Sequence, residues 1–261
     1  MLGLEDYRKT WTGAAGTRRK RQERLRSFLC YCLRHKWIER NVATDLEPIK
    51  TKTSPKLPLT RAEFDAVMAA VDRYHPRGCD TEWRRLRART MLLLLRWSGL
   101  RIRDTARLER TAVNESGALR LYMQKTSEPI YVPLPPDVVT MLRELPNPDN
   151  LRYFFWNGTS DIASPGIRWW STLKTIFKAR RLADAHSHTL RDTFAVEMLL
   201  AGVPIDQVSI LLGHSSVKIT EKHYSPWVRA RQEQLENSVF KAWAADPLVT
   251  RKPSRASINI N

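Results

Sequence analysis

One residue pair in the C-terminal half of the sequence is suited to holding a phosphate. His188 and Arg191 are three residues apart in "HTLRDTFAVEML", so on a helix they share one face. A guanidinium can bind phosphate oxygens in a bidentate manner, and an imidazole can move a proton. Taken alone, two surface polar residues would give the same pattern more often than a phosphate site would.

Four further residues could join that pair, and each has a plainer interpretation. Arg101 follows a Gly-Leu turn, with Asp104 three residues later, but such a pair is usually a surface ion pair worth little. Lys125 lies at the tip of a predicted hairpin, where lysine commonly serves solubility. His214 follows Gly213 at a predicted helix end and could be structural. Tyr224, ten residues after His214, could be a half-buried core aromatic.

The elements that must position these residues are mostly helices. In the predicted helix 17–36, Leu25, Phe28, Leu29 and Leu33 form one apolar face. Thr60 and Glu63 form a capping box. Periodicity and turn residues predict further helices at 82–98, 167–180, 188–201, 204–212, 216–224 and 230–243, and strands at 118–124, 130–134 and 152–156. The expected fold class is mainly α with a small antiparallel β-sheet (α+β).

The overall charge indicates a polyanionic partner. The 261 residues carry a net charge of +17 with a pI near 10.2, so nucleic acid is the leading candidate and a solvated basic surface the alternative. Basic residues are densest in "TRRKRQERLR", residues 17–26, where Arg18, Arg19, Lys20 and Arg21 are candidate DNA contacts. A nuclear localisation signal or a solvated helix face would give the same run.

The remaining composition excludes two classes of protein. Three cysteines are too few for a disulfide framework and are expected to be reduced thiols. The longest apolar run, "MLLLL" at 91–95, is too short to span a bilayer, and the first residues show no signal-peptide pattern. We therefore expect a cytoplasmic, DNA-associated protein.

The order of the motifs is more specific than any one of them. The stretches "SGLRIRDTARL", "MQKTSEPIYVPL", "HTLRDTFAVEML" and "LLGHSSVKITEKHY" make residues 58–245 resemble the catalytic domain of the tyrosine recombinases, the phage integrase family. Residues 17–57 resemble the end of that family's core-binding domain. The resemblance implies the catalytic fold of the DNA breaking-rejoining enzymes and the activity of a site-specific DNA recombinase or integrase.

The resemblance also implies a domain organisation. Residues 1–50 are expected to be a partial helical core-binding domain of the DNA clamp, either truncated or that of a minimal family member, and 51–59 a linker. Residues 60–228 would be the catalytic domain. Residues 229–246 would be a C-terminal helix that docks on its own domain or on a neighbouring protomer, and 247–261 a disordered tail.

By the same resemblance the functional residues are Arg101, Lys125, His188, Arg191, His214 and Tyr224, supported by Asp104. The two arginines would grip the phosphate, Tyr224 would attack it to form a 3′-phosphotyrosyl link, and His188 would act as the base. Lys125 would protonate the leaving 5′-oxygen, and His214 would hydrogen-bond the phosphate. No metal, nucleotide or other cofactor is expected. The implied partners are double-stranded DNA with paired recombination sites and three further copies of the chain in a homotetramer.

Three other functions are open on the sequence. A DNA-binding paralogue of the same fold that does not cut is one, although the complete catalytic set argues against it. A monomeric type IB topoisomerase is another, although His188 favours a recombinase. A metal hydrolase would use His186, His188 and His214, but no acidic or cysteine cluster completes that site.

Overall fold

The structure, a computed structural model, describes residues 3–51, 57–75, 81–125, 127–180, 182, 185–186 and 188–244. The chain divides into two compact units, Met1–Ser54 and Pro55–Asn261. Most of the predicted linker, residues 52–56, and the predicted tail, 247–261, lie outside the described residues. No described helix combines the length and the apolar character that crossing a membrane requires.

The first unit is organised by one long helix. It contains α1 (Leu4–Lys9), α2 (Ala15–Arg34) and a 3-10 turn at Val42–Thr44. The amide of Gln22, a side chain only 2% exposed, donates to the carbonyls of Leu46 and Glu47 at 3.2 and 2.8 Å. Polar bonds from α2 therefore hold the segment that follows the helix.

The apolar face predicted for α2 is wrong. Phe28 is 58% exposed and Leu33 is 37% exposed, while Leu25 and Leu29 are half-buried. The helix meets the segment around Val42–Thr44 through a different set of side chains, since Arg26 donates to the carbonyl of Ala43 at 2.9 Å. Hydrophobic spacing predicted the helix but not the face that its partner covers.

The second unit contains eight helices among its described residues and a two-stranded sheet. The predicted capping box forms, with the Thr60 hydroxyl and the Glu63 backbone N–H 3.2 Å apart. The core includes Met91, Leu92, Leu94 and Leu95 of the predicted helix 82–98. The helices are α3 (Arg61–Asp72), α4 (Thr81–Ser98), α5 (Ile102–Ala106), α6 (Pro136–Glu144), α7 (Ser164–Lys178), α8 (Thr189–Leu200), α9 (Ile205–Leu211) and α10 (Val217–Ala244).

The sheet is one antiparallel hairpin, β1 (Ala118–Tyr122) and β2 (Pro129–Pro133). The third strand predicted at 152–156 is absent from the described residues: Tyr153 makes only an isolated bridge with Glu109. Phe154 and Phe155 are 2% and 4% exposed, so this apolar run is core that pairs at a single bridge and forms no strand. Burial on both sides gives a strand-like sequence whether or not a neighbouring strand is present.

The break predicted between helices 216–224 and 230–243 is also wrong. Helix α10 runs without interruption from Val217 to Ala244, with Pro226 inside it. A proline removes one backbone donor from the ladder, and the helix continues here because its other hydrogen bonds remain. Tyr224 consequently lies inside a long helix and not at the end of a short one.

Candidate functional site

Arg191 is the buried centre of the candidate site. It lies in the first turn of α8 and is 4% exposed. Its Nη1 donates to the carbonyl of Gly99 at 2.7 Å and its Nη2 to that of Leu212 at 2.5 Å. Burial lowers the pKa of its guanidinium to about 10, which leaves it charged at neutral pH. One cation thus joins the residues that follow α4 and α9.

Glycines with left-handed backbone conformations allow those carbonyls to approach. Gly99 has φ +62° and Gly213, next to Leu212, has φ +57°. A Cβ at Gly99 would lie 2.5 Å from a Phe194 ring carbon, and one at Gly213 would lie 2.7 Å from Met123. Gly213, the residue before His214, therefore packs closely against Met123 and Ile130 of the β-hairpin region, and a larger residue there would displace these neighbours.

Arg101 and Asp104 form the second part of the site. Arg101 precedes α5, is half-buried, and its Nη1 is buried with no hydrogen-bond partner among the described residues. Burial lowers the pKa of this guanidinium. Asp104 is 3% exposed, and its Oδ1 accepts from the backbone N–H of Gln124 at 3.2 Å. Because Lys125 follows Gln124, Asp104 fixes the backbone next to that lysine.

Asp104 is held in an unusual electrostatic setting. Burial raises the pKa of its carboxyl, and the Gln124 hydrogen bond opposes that rise together with the charges of Arg101, Arg191 and Arg107. Its Oδ2 is buried without a hydrogen-bond partner among the described residues. The carboxylate therefore serves as a counter-charge to both arginines of the site.

His214 is half-buried beside this cationic cluster. Its Nδ1 lies 2.8 Å from the hydroxyl of Thr220, a residue with no exposed surface. Burial lowers the pKa of the imidazole to about 4, and the neighbouring charges of Arg191, Arg101, His223 and Lys125 act in the same direction. The ring is consequently neutral at pH 7, and the effect of those charges indicates that the cations converge on one place.

Tyr224 enters the same cluster from α10. The side chain is 5% exposed, and its hydroxyl donates to Oδ1 of Asp192 at 2.8 Å. Burial raises the pKa of the phenol above its ordinary value, as do the charge and the hydrogen bond of Asp192, while the charge of Arg191 opposes the rise. The hydroxyl is protonated at neutral pH and has a carboxylate as its acceptor.

Lys125 and His188 differ from these residues in being exposed. Lys125 lies in the turn between β1 and β2, and its charge reaches His214. His188 is the residue before α8, and its backbone N–H lies 3.3 Å from Nδ1 of His186. No group of three or more His, Cys, Asp or Glu side chains among the described residues is arranged as metal ligands.

The candidate DNA contacts belong to the first unit. Arg18, Arg19, Lys20 and Arg21 are all exposed on α2. Arg19 is paired with Glu23 at 2.9 Å, and Arg21 lies at 3.5 Å from the Thr12 carbonyl. Their assignment to DNA stays a prediction.

Comparison with known proteins decides the family. The model of the phage integrase family matches residues 58–227, a range that begins before α3 and includes every residue of the cluster. The chain belongs to the phage integrase family. The family predicted from the motifs is confirmed.

Relatives in this family carry recombinase names. The chain is 30% identical to tyrosine recombinase XerD of Pseudomonas aeruginosa over 223 residues, which cover 81% of this chain and 71% of the relative. It is 33% identical to a tyrosine recombinase of Thermosipho africanus over 146 residues, covering 55% of this chain and 51% of the relative. The match therefore spans about half the length of the second relative.

Solved structures of other proteins share the fold. The integrase of transposon Tn1549 in complex with transposon right end DNA superimposes with a TM-score of 0.69 at 16% identity, over 90% of this chain and 86% of that one. A lambda integrase dimer bound to a COC′ core site gives 0.61 at 18% identity, over 80% and 59%. The expected fold class, mainly helical with a small antiparallel sheet, is confirmed.

Two residues of the cluster were not anticipated from the family motifs. Asp192 follows Arg191 directly, and Thr220 lies six residues after His214. Both are ordinary polar residues of a helix in the sequence. Their roles as hydrogen-bond partners of Tyr224 and His214 arise from packing between elements, and no local pattern reveals them.

Proposed function

We propose that this protein is a site-specific DNA recombinase or integrase that cuts and rejoins strands through a 3′-phosphotyrosyl link at Tyr224, without metal or nucleotide. One observation carries the proposal. The charge of Arg191 lowers the pKa of the buried Tyr224 phenol, and the charges of Arg191, Arg101 and Lys125 all lower the pKa of His214, so these cations act on one small region of the protein. A nucleophile next to several fixed cations is what transfer of an anionic phosphoryl group requires.

The chemistry balances with the residues of the chain. Tyr224 Oη gives its proton to a base, the role that the resemblance gives to His188, and bonds to phosphorus as the bond to the 5′-oxygen breaks, and Lys125 protonates that oxygen. Arg101 and Arg191 stabilise the charge on the non-bridging oxygens, so side chains supply the positive charge that a metal ion would otherwise provide. His214, neutral at pH 7, is able to donate a hydrogen bond to the same oxygens. A 5′-hydroxyl then reverses the step, and the phosphotyrosyl link conserves the bond energy.

The charge of the chain supports DNA as the partner. A net charge of +17 provides many phosphate contacts, and binding should weaken steeply as salt rises. The four basic residues Arg18, Arg19, Lys20 and Arg21 are exposed and available for this role. The fold relatives named above were solved with DNA, which supports the same partner and a DNA-associated location here.

The end of α10 supports assembly into a tetramer. Leu235, Val239, Phe240 and Trp243 are 48%, 43%, 61% and 55% exposed, so no described residue of its own unit covers the apolar stripe of this helix. A second protomer is the occupant we propose. Phe240→Glu should reduce exchange between two duplexes while single-duplex cleavage persists. Glu236→Gln, on the same helix, is the matched control.

Covalent trapping tests the activity and identifies the DNA site in one experiment. The protein is incubated in EDTA with a pool of nicked duplexes carrying randomised arms. Complexes that survive denaturant are isolated and their DNA is sequenced. We expect covalent complexes enriched for one sequence. Tyr224→Phe should abolish them, whereas Tyr131→Phe, which changes an exposed tyrosine of β2, should not.

Each alternative function gives a different result in that experiment. DNA binding without any covalent complex would establish a non-cutting paralogue. Covalent complexes and plasmid relaxation without exchange between two duplexes would establish a monomeric topoisomerase. Complexes that EDTA abolishes would contradict the metal-free mechanism.

A further inference from the structure

The proton of Tyr224 has a defined acceptor in this structure. The hydroxyl donates to Oδ1 of Asp192 at 2.8 Å, which is within the range for direct proton transfer between a reacting group and its base. This is the only side-chain hydrogen bond that Asp192 makes among the described residues, and its Oδ2 is buried without a partner. The carboxylate is therefore directed to one group, the proposed nucleophile.

We infer that Asp192 is a catalytic residue, the general base that takes the Tyr224 proton as the bond to phosphorus forms. The inference rests on the proposed function and assigns to Asp192 the role that the family resemblance gives to His188. His188 is an exposed residue before α8, whereas Asp192 contacts the reacting oxygen itself.

The position of Asp192 is fixed by the helix that also carries Arg191. Its backbone N–H donates to the carbonyl of His188 at 2.8 Å, which places it in the first turn of α8. The base and the buried arginine are thus adjacent in the chain, and the contact with Tyr224 joins α8 to α10. A motion of α10 that carries Tyr224 away from α8 would break this bond.

Charge favours proton transfer over a free phenolate. Burial and Asp192 both make the phenolate of Tyr224 unfavourable, because a second anion would lie beside the carboxylate. An entering phosphate diester adds one more negative charge. Transfer to Asp192 in concert with attack neutralises the carboxylate, so no extra anion accumulates. The charge of Arg191 also acts on Tyr224, and the His223 ring lies 6.3 Å from the Tyr224 ring, but the acceptor of the hydroxyl among the described residues is Asp192.

The step is balanced in both directions. During cleavage the proton moves from Tyr224 Oη to Asp192 Oδ1, the Oη–P bond forms and the P–O5′ bond breaks, and Lys125 protonates the 5′-oxygen. During rejoining the attacking 5′-hydroxyl returns its proton to Lys125, the Oη–P bond breaks, and protonated Asp192 returns its proton to Tyr224. The base of the first step is the acid of the second.

Single-turnover cleavage of the nicked duplex recovered above tests the inference. Asp192→Asn keeps the shape but cannot hold the proton, and we expect a loss of about 10²- to 10⁴-fold at pH 7. The loss should shrink as pH rises, because hydroxide then removes the phenol proton. A fluorinated tyrosine at position 224, a stronger acid, should speed the Asp192→Asn protein more than the wild type. Asp206→Asn, which removes an exposed carboxylate from α9, is the charge control.

Several outcomes would overturn the assignment. Cleavage by Asp192→Asn at the wild-type rate or faster would mean that the hydrogen bond between Tyr224 and Asp192 only holds the tyrosine in place before reaction. Full rescue by a substrate with a 5′-bridging sulfur, which needs no acid to leave, would place Asp192 on the leaving group instead. Should Asp192→Asn not fold, Asp192→Glu serves, since a displaced carboxylate should slow cleavage and keep the wild-type pH profile, and a changed profile would contradict a base. Loss of the proposed function is distinct, because wild-type protein would then form no covalent complex.

Discussion

The candidate site has a buried part and an exposed part, and the two are built differently. Arg191, Asp104 and Tyr224 are 4%, 3% and 5% exposed, and each is held by hydrogen bonds to other elements of the fold. Lys125 and His188 are exposed and lie between elements, one in the hairpin turn and one before α8. The proposed phosphate grip and nucleophile therefore exist before DNA arrives, while the exposed residues can adjust to it.

This difference implies that the buried residues have two roles. Arg191 donates hydrogen bonds to two backbone carbonyls of the protein and, as we propose, also binds phosphate oxygens of the substrate. Lys125 has no comparable buried bond among the described residues. Substitutions in the buried part should therefore alter both folding and cleavage, and substitutions in the exposed part should alter cleavage alone.

Arg191→Ala should have the largest effect on folding. It leaves the carbonyls of Gly99 and Leu212 buried without their donor, which lowers the free energy of unfolding by about 2–5 kcal/mol. Arg101→Ala should cost within about 1 kcal/mol, since Arg101 Nη1 has no hydrogen bond to lose among the described residues. Urea denaturation measures both variants, and trapping assays should find cleavage lost in both. Equal free energies of unfolding for the two variants would contradict the proposed structural role of the buried Arg191.

Local and non-local information explain what the sequence could predict. Helices such as α4 and α8 are encoded by apolar spacing and stop residues, so their existence followed from the chain. The ordered motifs predicted the candidate residues through family resemblance. In the structure the pKa of Arg191 is affected by the charges of Arg101 and Tyr224, and that of His214 by those of Arg191, Arg101 and Lys125.

The parts that the sequence could not supply depend on packing between distant segments. The bond between Tyr224 and Asp192 spans 32 residues, and that between Arg191 and Gly99 spans 92. The predictions of the covered face of α2 and of a third strand at 152–156 failed for the same reason, because spacing does not say which neighbour a face meets. Local propensity also predicted too much at Pro226: it favours a helix break there, whereas α10 continues through the proline in the folded protein.

His214 provides a prediction of intermediate size, which concerns pH. Its pKa is lowered to about 4 in the folded protein, while the unfolded chain has the ordinary value of about 6.5. As pH falls, the unfolded state therefore binds a proton before the folded state does. The contribution of His214 to the free energy of unfolding is fully present above about pH 6.5 and is lost as pH falls towards 4, by no more than about 3 kcal/mol. His214→Gln should remove that part of the acid sensitivity. Urea denaturation between pH 4 and 7 measures it, and parallel curves for the two proteins would show that the imidazole does not titrate abnormally.

Lys125→Ala should have the smallest effect on folding and is the sharpest test of the exposed part. The side chain is exposed in the hairpin turn, so the free energy of unfolding should change by no more than about 0.5 kcal/mol. Cleavage should still fall by about 10²- to 10⁴-fold if this lysine protonates the leaving 5′-oxygen. A duplex with sulfur at that bridging position should restore the rate, because a thiolate leaves without a proton. The same duplex should not rescue Asp192→Asn, so the pair of substitutions separates acid from base at opposite ends of the reacting phosphate. A stability loss in Lys125→Ala comparable with that of Arg191→Ala would mean that the hairpin turn is part of the preformed site after all.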